Sequence, residues 1–146
     1  MSKTPLNYHQ ISFRVRYSET DQMGVVYHGS YIPYFEMARV EWLRNKGVSY
    51  KELEEQGFAL PIVSMKIDYK KPARYDDLIT VTARMLNYAG VKLSFECEIY
   101  NEANDLLTTS HFLLVFVSTS TGKPCLPPDE IQQFLTDILT QKENTN

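Results

Sequence analysis

Between Tyr17 and Tyr31 the chain reads Y-S-E-T-D-Q-M-G-V-V-Y-H-G-S-Y, the densest run of chemically useful side chains in it. Asp21 stands three positions before Gly24 among loop-forming residues, and His28 stands where a helical pattern begins. A helix N-terminus presents unpaired backbone N–H groups and the positive end of the macrodipole. Those groups polarise a carbonyl oxygen or stabilise an oxyanion. A carboxylate held beside them serves as a nucleophile or as a general base on water. The combination suits acyl transfer. The structural alternatives are an Asx turn at Asp21 and a neutral, hydrogen-bonded histidine at His28.

The flanking elements are those needed to hold such a stretch. Ile11, Phe13, Val15 and Tyr17 alternate with polar residues, which predicts a half-buried strand over Ile11–Tyr17, followed by a loop over Ser18–Gly24. From about Gly29 to Lys46 the spacing becomes helical. The apolar arc of Tyr31, Ile32, Tyr34, Phe35, Ala38, Trp42 and Leu43 is broad enough to require burial on more than one face. Pro33 suits the first turn, Gly47 the C′ position, and Ser49 with Glu52 a capping box opening a short helix to Gln56. Period-two patterns predict strands over Val63–Lys70, Ile79–Met85 and Val91–Ile99. The uniformly apolar Ser110–Val117 reads as a central strand covered on both faces. Asn87–Gly90 and Asn101–Asp105 read as hairpin connections, Pro124, Pro127 and Pro128 as a loop, and Asp129–Thr140 as a terminal helix before a fraying polar tail from Gln141. A strand, a long helix and four more strands, the last three joined by hairpins, make an α+β fold, an antiparallel sheet curled around one apolar helix.

Composition bounds the function. The 146 residues suit a single domain over 1–146, with a core at about 8–120 and a C-terminal helix at about 129–140. Hydrophobic residues make up 43% and charged residues 23%, which fits a globular chain. Fifteen basic against eighteen acidic residues give a net charge of −3, so no nucleic-acid partner is expected. Cys97 and Cys125 form neither a disulfide framework nor a zinc motif, and His9 and His111 have no metal partners at motif spacing. His111, on an apolar strand, is expected to be a satisfied core histidine. Met1–Gln10 lacks a secretory apolar stretch and no run is long enough to span a bilayer, so the expected location is the cytoplasm.

The run Asp21–Tyr31 resembles the signature of the 4-hydroxybenzoyl-CoA thioesterase family, nearest to the acyl-CoA thioester hydrolases of the branch found beside bacterial Tol–Pal genes. The resemblance continues through Glu36-Met-Ala-Arg39, Pro61-Ile-Val-Ser64 and Tyr69-Lys-Lys-Pro72-Ala-Arg74-Tyr-Asp-Asp77, and so covers most of residues 11–117. It implies a hot-dog fold, a long helix wrapped by a five- to six-stranded antiparallel sheet. It also implies a dimer often paired into a homotetramer, with active sites at the subunit interface. Asp21 matches the family's catalytic carboxylate, and the His28 backbone N–H matches the group that binds the thioester carbonyl. Another branch takes its carboxylate from the long helix, an option Glu36 and Glu41 keep open.

Tyr17, Tyr27, Tyr31 and Ser64 are the expected substrate-binding residues. Lys66, Lys70, Lys71, Arg74 and Lys92 are the candidates for coenzyme A phosphates, although the family's arginine-rich turn is reduced here to Gly90-Val91-Lys92-Leu93. The expected reaction is hydrolysis of an acyl-CoA, or of an acyl carrier protein thioester, with no metal and no cofactor beyond the coenzyme A of the substrate. A hot-dog dehydratase or hydratase using Asp21 and His28 as an acid–base pair is the rival enzyme. A non-catalytic acyl-thioester-binding module is the rival outside enzymology. As local chemistry, Glu36 with Arg39 and Glu41 with Arg44 read as helix ion pairs, and Cys97 as a small buried hydrophobe.

Overall fold

The computed structural model describes residues 5–144. Residues 1–4 and 145–146, including the start of the Met1–Gln10 segment, lie outside the described residues. The order is β1 (Tyr8–Arg14), α1 (Tyr31–Asn45), α2 (Tyr50–Glu55), β2 (Phe58–Ala59), β3 (Ile62–Tyr69), β4 (Leu78–Ala89), β5 (Lys92–Tyr100), β6 (Leu106–Val115), β7 (Val117–Ser118) and α3 (Asp129–Asn144). Short 3-10 turns occupy Tyr17–Glu19 and His28–Ser30.

Five strands form one sheet in the order β1-β4-β5-β6-β3, and every neighbouring pair is antiparallel. Alternation aims Val81, Ala83, Met85, Leu93, Phe95, Cys97 and Ile99 at one face, where all are buried. Onto it α1 presses Tyr31, Tyr34, Phe35, Ala38, Trp42 and Leu43. Trp42 meets Phe95 edge-on at 4.9 Å between centroids. This is the expected α+β layering. Ser49 caps α2 by accepting from the Glu52 N–H at 3.3 Å, and Gly47 at C′ has φ +87°, a value a side chain resists.

Several boundaries differ from the sequence reading. β1 ends at Arg14, so Tyr17 lies beyond the strand on an exposed 3-10 turn. The alternation persists to Tyr17, but Val15 N–H turns to the Asp77 carbonyl and the Arg16 N–H to the Glu19 carboxylate, which ends the ladder. β6 is covered on one face only. His111 is exposed there, with Nε2 2.9 Å from Glu96 Oε2, and is not a core histidine. The β2–β7 ribbon pairs Phe58 with Ser118 and Ala59 with Val117, too short for any period to register. α3 runs past Thr140 to Asn144, through residues with ordinary helix propensity and no Gly or Pro to stop it.

The two ion pairs expected on α1 fare differently. Arg44 pairs with Glu41. Arg39 does not pair with exposed Glu36; it is 5% exposed, and its guanidinium lies 5.8 Å from the Tyr50 ring centroid. Among the described residues its Nε and Nη1 meet no acceptor, and burial lowers its pKa from the ordinary arginine value. Cys97 is buried and unbonded to Cys125, and burial pushes its thiol pKa up. Among the described residues no helix is long and apolar enough to cross a membrane.

Candidate active site

The loop from Thr20 to Val26 is a closed unit. Thr20 bridges Val26, Asp21 N–H donates to the Val25 carbonyl at 2.8 Å, and Gly24 N–H donates to the Asp21 carbonyl at 3.0 Å. Gly24 takes φ +76° with open space around its Cβ position, so only backbone strain excludes a side chain. The Gly24→Ala variant is expected to lose about 1–2 kcal/mol in urea unfolding, together with part of the turnover as the Asp21 loop shifts. Equal stability would show that the loop relaxes freely.

Asp21 is exposed, and its Oδ1 accepts the Met23 N–H at 2.8 Å. The Asx turn is therefore real. It uses one carboxylate oxygen, and among the described residues no donor meets the other, which remains available to water or to a carbonyl carbon.

His28 opens the 3-10 turn that leads directly into α1. Among the described residues its backbone N–H donates to no protein acceptor, as the start of a helical segment leaves it. Its carbonyl accepts the Tyr69 hydroxyl at 3.2 Å, and its ring lies against Tyr27 at 4.2 Å between centroids. A cleft of about 230 Å³ opens here, lined by Val26, His28, Tyr31, Tyr69, Lys70, Lys71 and Pro72. The buried Tyr31 hydroxyl accepts the Ala73 N–H at 3.3 Å; burial raises its pKa, partly opposed by that bond. Tyr69 stacks edge-on to Tyr31 at 5.4 Å.

His28, Tyr31, Lys70 and Lys71 are thus brought together, with Tyr27 adjoining. Asp21 and Arg74 lie beside the cleft and outside its lining, on the paired segments joined by the Val25–Arg74 bridge. Tyr17 is packed edge-on to Tyr75 at 5.7 Å, also outside the cleft. Ser64 and Lys66 are not at this site within one subunit. They line a separate hollow of about 340 Å³ with His111 on the sheet's open face. Lys92 is further still: it pairs with Val115, while Lys70 bonds Leu107 near the other end of β6, roughly 25 Å away at strand rise. A single subunit therefore does not assemble the five-residue phosphate cluster.

Tyr69 and Glu19 were not foreseen. In the sequence Tyr69 reads as the last apolar residue of an alternating strand and as the start of the Tyr69–Asp77 run, not as a site residue. Glu19 lies in the Tyr17–Tyr31 run, two residues before the matched Asp21–Tyr31 signature, at i+3 from Arg16, a spacing that signals a capped turn. Its side chain is 13% exposed, and it bonds Arg16 and the Tyr34 hydroxyl. Burial raises its pKa, but those hydrogen bonds outweigh burial and hold the carboxyl below its ordinary value. The resulting stabilisation is present above the ordinary carboxylate pKa and is lost as pH falls through the lower folded value. Among the described residues no three His, Cys, Asp or Glu side chains group to hold a metal ion.

The model of the thioesterase-like superfamily matches residues 15–135, which span the Asp21 loop, α1 and the whole remaining sheet. The chain belongs to this superfamily. YneP of Bacillus subtilis (strain 168) is 39% identical over 113 residues, covering 75% of this chain and 80% of that protein. The acyl-CoA thioester hydrolase YbgC of Escherichia coli O6:H1 is 36% identical over 122 residues, covering 83% of this chain and 91% of YbgC. Among solved structures, the DHNA-CoA thioesterase of Staphylococcus aureus superposes with a TM-score of 0.84 at 31% identity, over 94% of this chain and 91% of that one. The expected hot-dog fold is the fold observed.

Proposed function

We propose that this chain hydrolyses acyl-CoA thioesters to a free carboxylic acid and coenzyme A. The observation that carries the reading is that His28, whose N–H meets no acceptor among the described residues, lines a cleft beside the Asp21 loop. In this reading the His28 N–H donates a hydrogen bond to the thioester oxygen as negative charge develops on it. Asp21 attacks the carbonyl carbon or takes a proton from the water that does. When Asp21 attacks, the C–S bond breaks to leave an acyl–Asp21 anhydride that water then hydrolyses. When water attacks, the C–S bond breaks to give the acid directly. On either route the thiolate gains a proton. Lys70 and Lys71 sit in the cleft where they can meet coenzyme A phosphates. Tyr27, Tyr31 and Tyr69 suit a flat or short acyl group.

Ser64, Lys66 and Lys92 enter through assembly. Among the described residues β3 pairs with β6 alone, which leaves its outer edge open. Antiparallel pairing of two such edges sets the start of one β3 beside the end of the other, and so brings the Ser64 region of one copy toward the cleft of another. We therefore read the working form as a dimer that pairs again into a homotetramer, in the cytoplasm, within the Tol–Pal-associated branch. Acyl carrier protein thioesters are a second class of substrate.

The test is thiol release from short, medium, long and aromatic acyl-CoAs, with product analysis on a 3-hydroxyacyl-CoA. Free thiol from at least one member is the expected result. Enoyl product without thiol would establish the dehydratase instead. Saturable binding with no turnover of any member would establish a binding module.

A further inference from the structure

We infer that Glu19 is the positioning residue of this site, fixing Asp21 and the His28 N–H relative to each other and to α1. The inference rests on the proposed role of Asp21.

Glu19 stands two residues before Asp21, and its carboxylate is the half-buried group in an otherwise exposed turn. Its Oε1 accepts the Arg16 N–H and the Tyr34 hydroxyl, each at 2.8 Å. Its Oε2 accepts Arg16 Nε at 3.1 Å and Nη2 at 2.8 Å. Capping a 3-10 turn requires Arg16 alone. The Tyr34 bond does something further: Tyr34 is 1% exposed on the first turn of α1, so this bond ties the loop to the helix that carries the site.

The main chain of the same residue closes the other side. The Glu19 carbonyl accepts the Tyr27 N–H at 2.9 Å, and Tyr27 directly precedes His28. The Thr20–Val26 bridge and the Asp21 N–H bond to Val25 follow inside that contact. The loop bearing Asp21 therefore leaves from Glu19 and returns to it. The carboxylate sets where the loop starts on α1, and the carbonyl sets where the His28 N–H begins.

The chemistry needs both groups at one carbonyl carbon at the same moment, and a displacement of about 1 Å in such a pair costs about a hundredfold in rate. Glutamine at position 19 keeps one acceptor oxygen but turns an amide N–H₂ toward the guanidinium, so it cannot serve the Arg16 guanidinium and the Tyr34 hydroxyl together. Aspartate is one methylene too short to span them.

The test compares kcat, KM and thermal stability for Glu19→Gln, Tyr34→Phe, Asp21→Asn and the Glu19→Gln/Asp21→Asn double variant, using the best substrate of the acyl-CoA panel. Glu19→Gln is expected to lower kcat about ten- to a hundredfold with KM within about threefold of wild type. Tyr34→Phe removes one hydroxyl from a retained ring and is expected to lower kcat in the same direction, with the protein folded. Relative to Asp21→Asn, the double variant is expected to lose less than Glu19→Gln loses relative to wild type, because only the His28 N–H is then left to position.

Unchanged kcat in a folded Glu19→Gln protein overturns the inference. So does a Glu19→Gln loss that persists undiminished on the Asp21→Asn background. Should Glu19→Gln fail to fold, Tyr34→Phe decides: wild-type kcat there overturns the inference and a reduced kcat supports it. Full turnover by Asp21→Asn instead brings down the role of Asp21, an outcome read separately from the Glu19 variants.

Discussion

Replacing Asp21 with asparagine is expected to lower kcat by about 10²–10⁴-fold while leaving the fold intact. The substitution is nearly isosteric, and the amide oxygen still accepts the Met23 N–H, so the Asx turn survives. Removed are the negative charge and the basic oxygen that no donor occupies among the described residues. Stability should therefore stay within about 1 kcal/mol of wild type, which separates loss of chemistry from loss of structure. Turnover within about threefold of wild type would sink the proposed role and move attention to Glu36 and Glu41 on α1. Repeated turnover in ¹⁸O-water carries the test further, because label entering the Asp21 carboxylate identifies the nucleophilic route.

The elements legible in sequence were those whose signal is local and long. α1 showed itself by an apolar arc repeated over fifteen residues, and β4 and β5 by alternation over whole strands. What failed depended on partners distant in sequence. The end of β1 is decided by where Val15 and Arg16 send their N–H groups, to Asp77 and Glu19, and not by the alternation that runs on to Tyr17. The apolar character of β6 concealed that His111 faces the open side of the sheet, paired to Glu96 across the ladder.

The candidate site divides in the same way. Asp21, His28 and Tyr31 occupy one contiguous motif, so their association needed no knowledge of the fold. Lys66, Lys70, Lys71 and Arg74 read as one basic group by type alone, with Lys92 at a turn of its own. Lys66 points off β3 onto the open sheet face, whereas Lys70 and Lys71 follow the strand's end and bond back to the Leu107 carbonyl. Register and strand order set that division, and neither is written in residue spacing. Glu19 escaped because the bond that matters most, to Tyr34, joins a turn to the buried face of a helix.

The largest expected stability effect lies at Trp42. It is fully buried, meets Phe95 edge-on, carries Lys46 Nζ 5.3 Å from its ring centroid, and donates its indole N–H to the Asn7 carbonyl at 3.0 Å. That carbonyl also accepts the Met85 N–H at 2.8 Å, so one side chain joins α1, β4 and the segment before β1. Trp42→Ala is expected to cost about 3–5 kcal/mol in urea unfolding, equivalent to a fall in Tm on the order of 10 °C for a chain of this size. Trp42→Phe keeps most of the volume and leaves the Asn7 carbonyl bonded to Met85, so its cost should be about 1–2 kcal/mol. A Trp42→Ala loss no larger than that of Trp42→Phe would mean that α1 is not pinned to the sheet through this contact. Because α1 carries His28 at its leading end, the alanine variant should also lose turnover below its unfolding temperature. The phenylalanine variant should hold it, since it keeps the helix seated while giving up only the indole N–H.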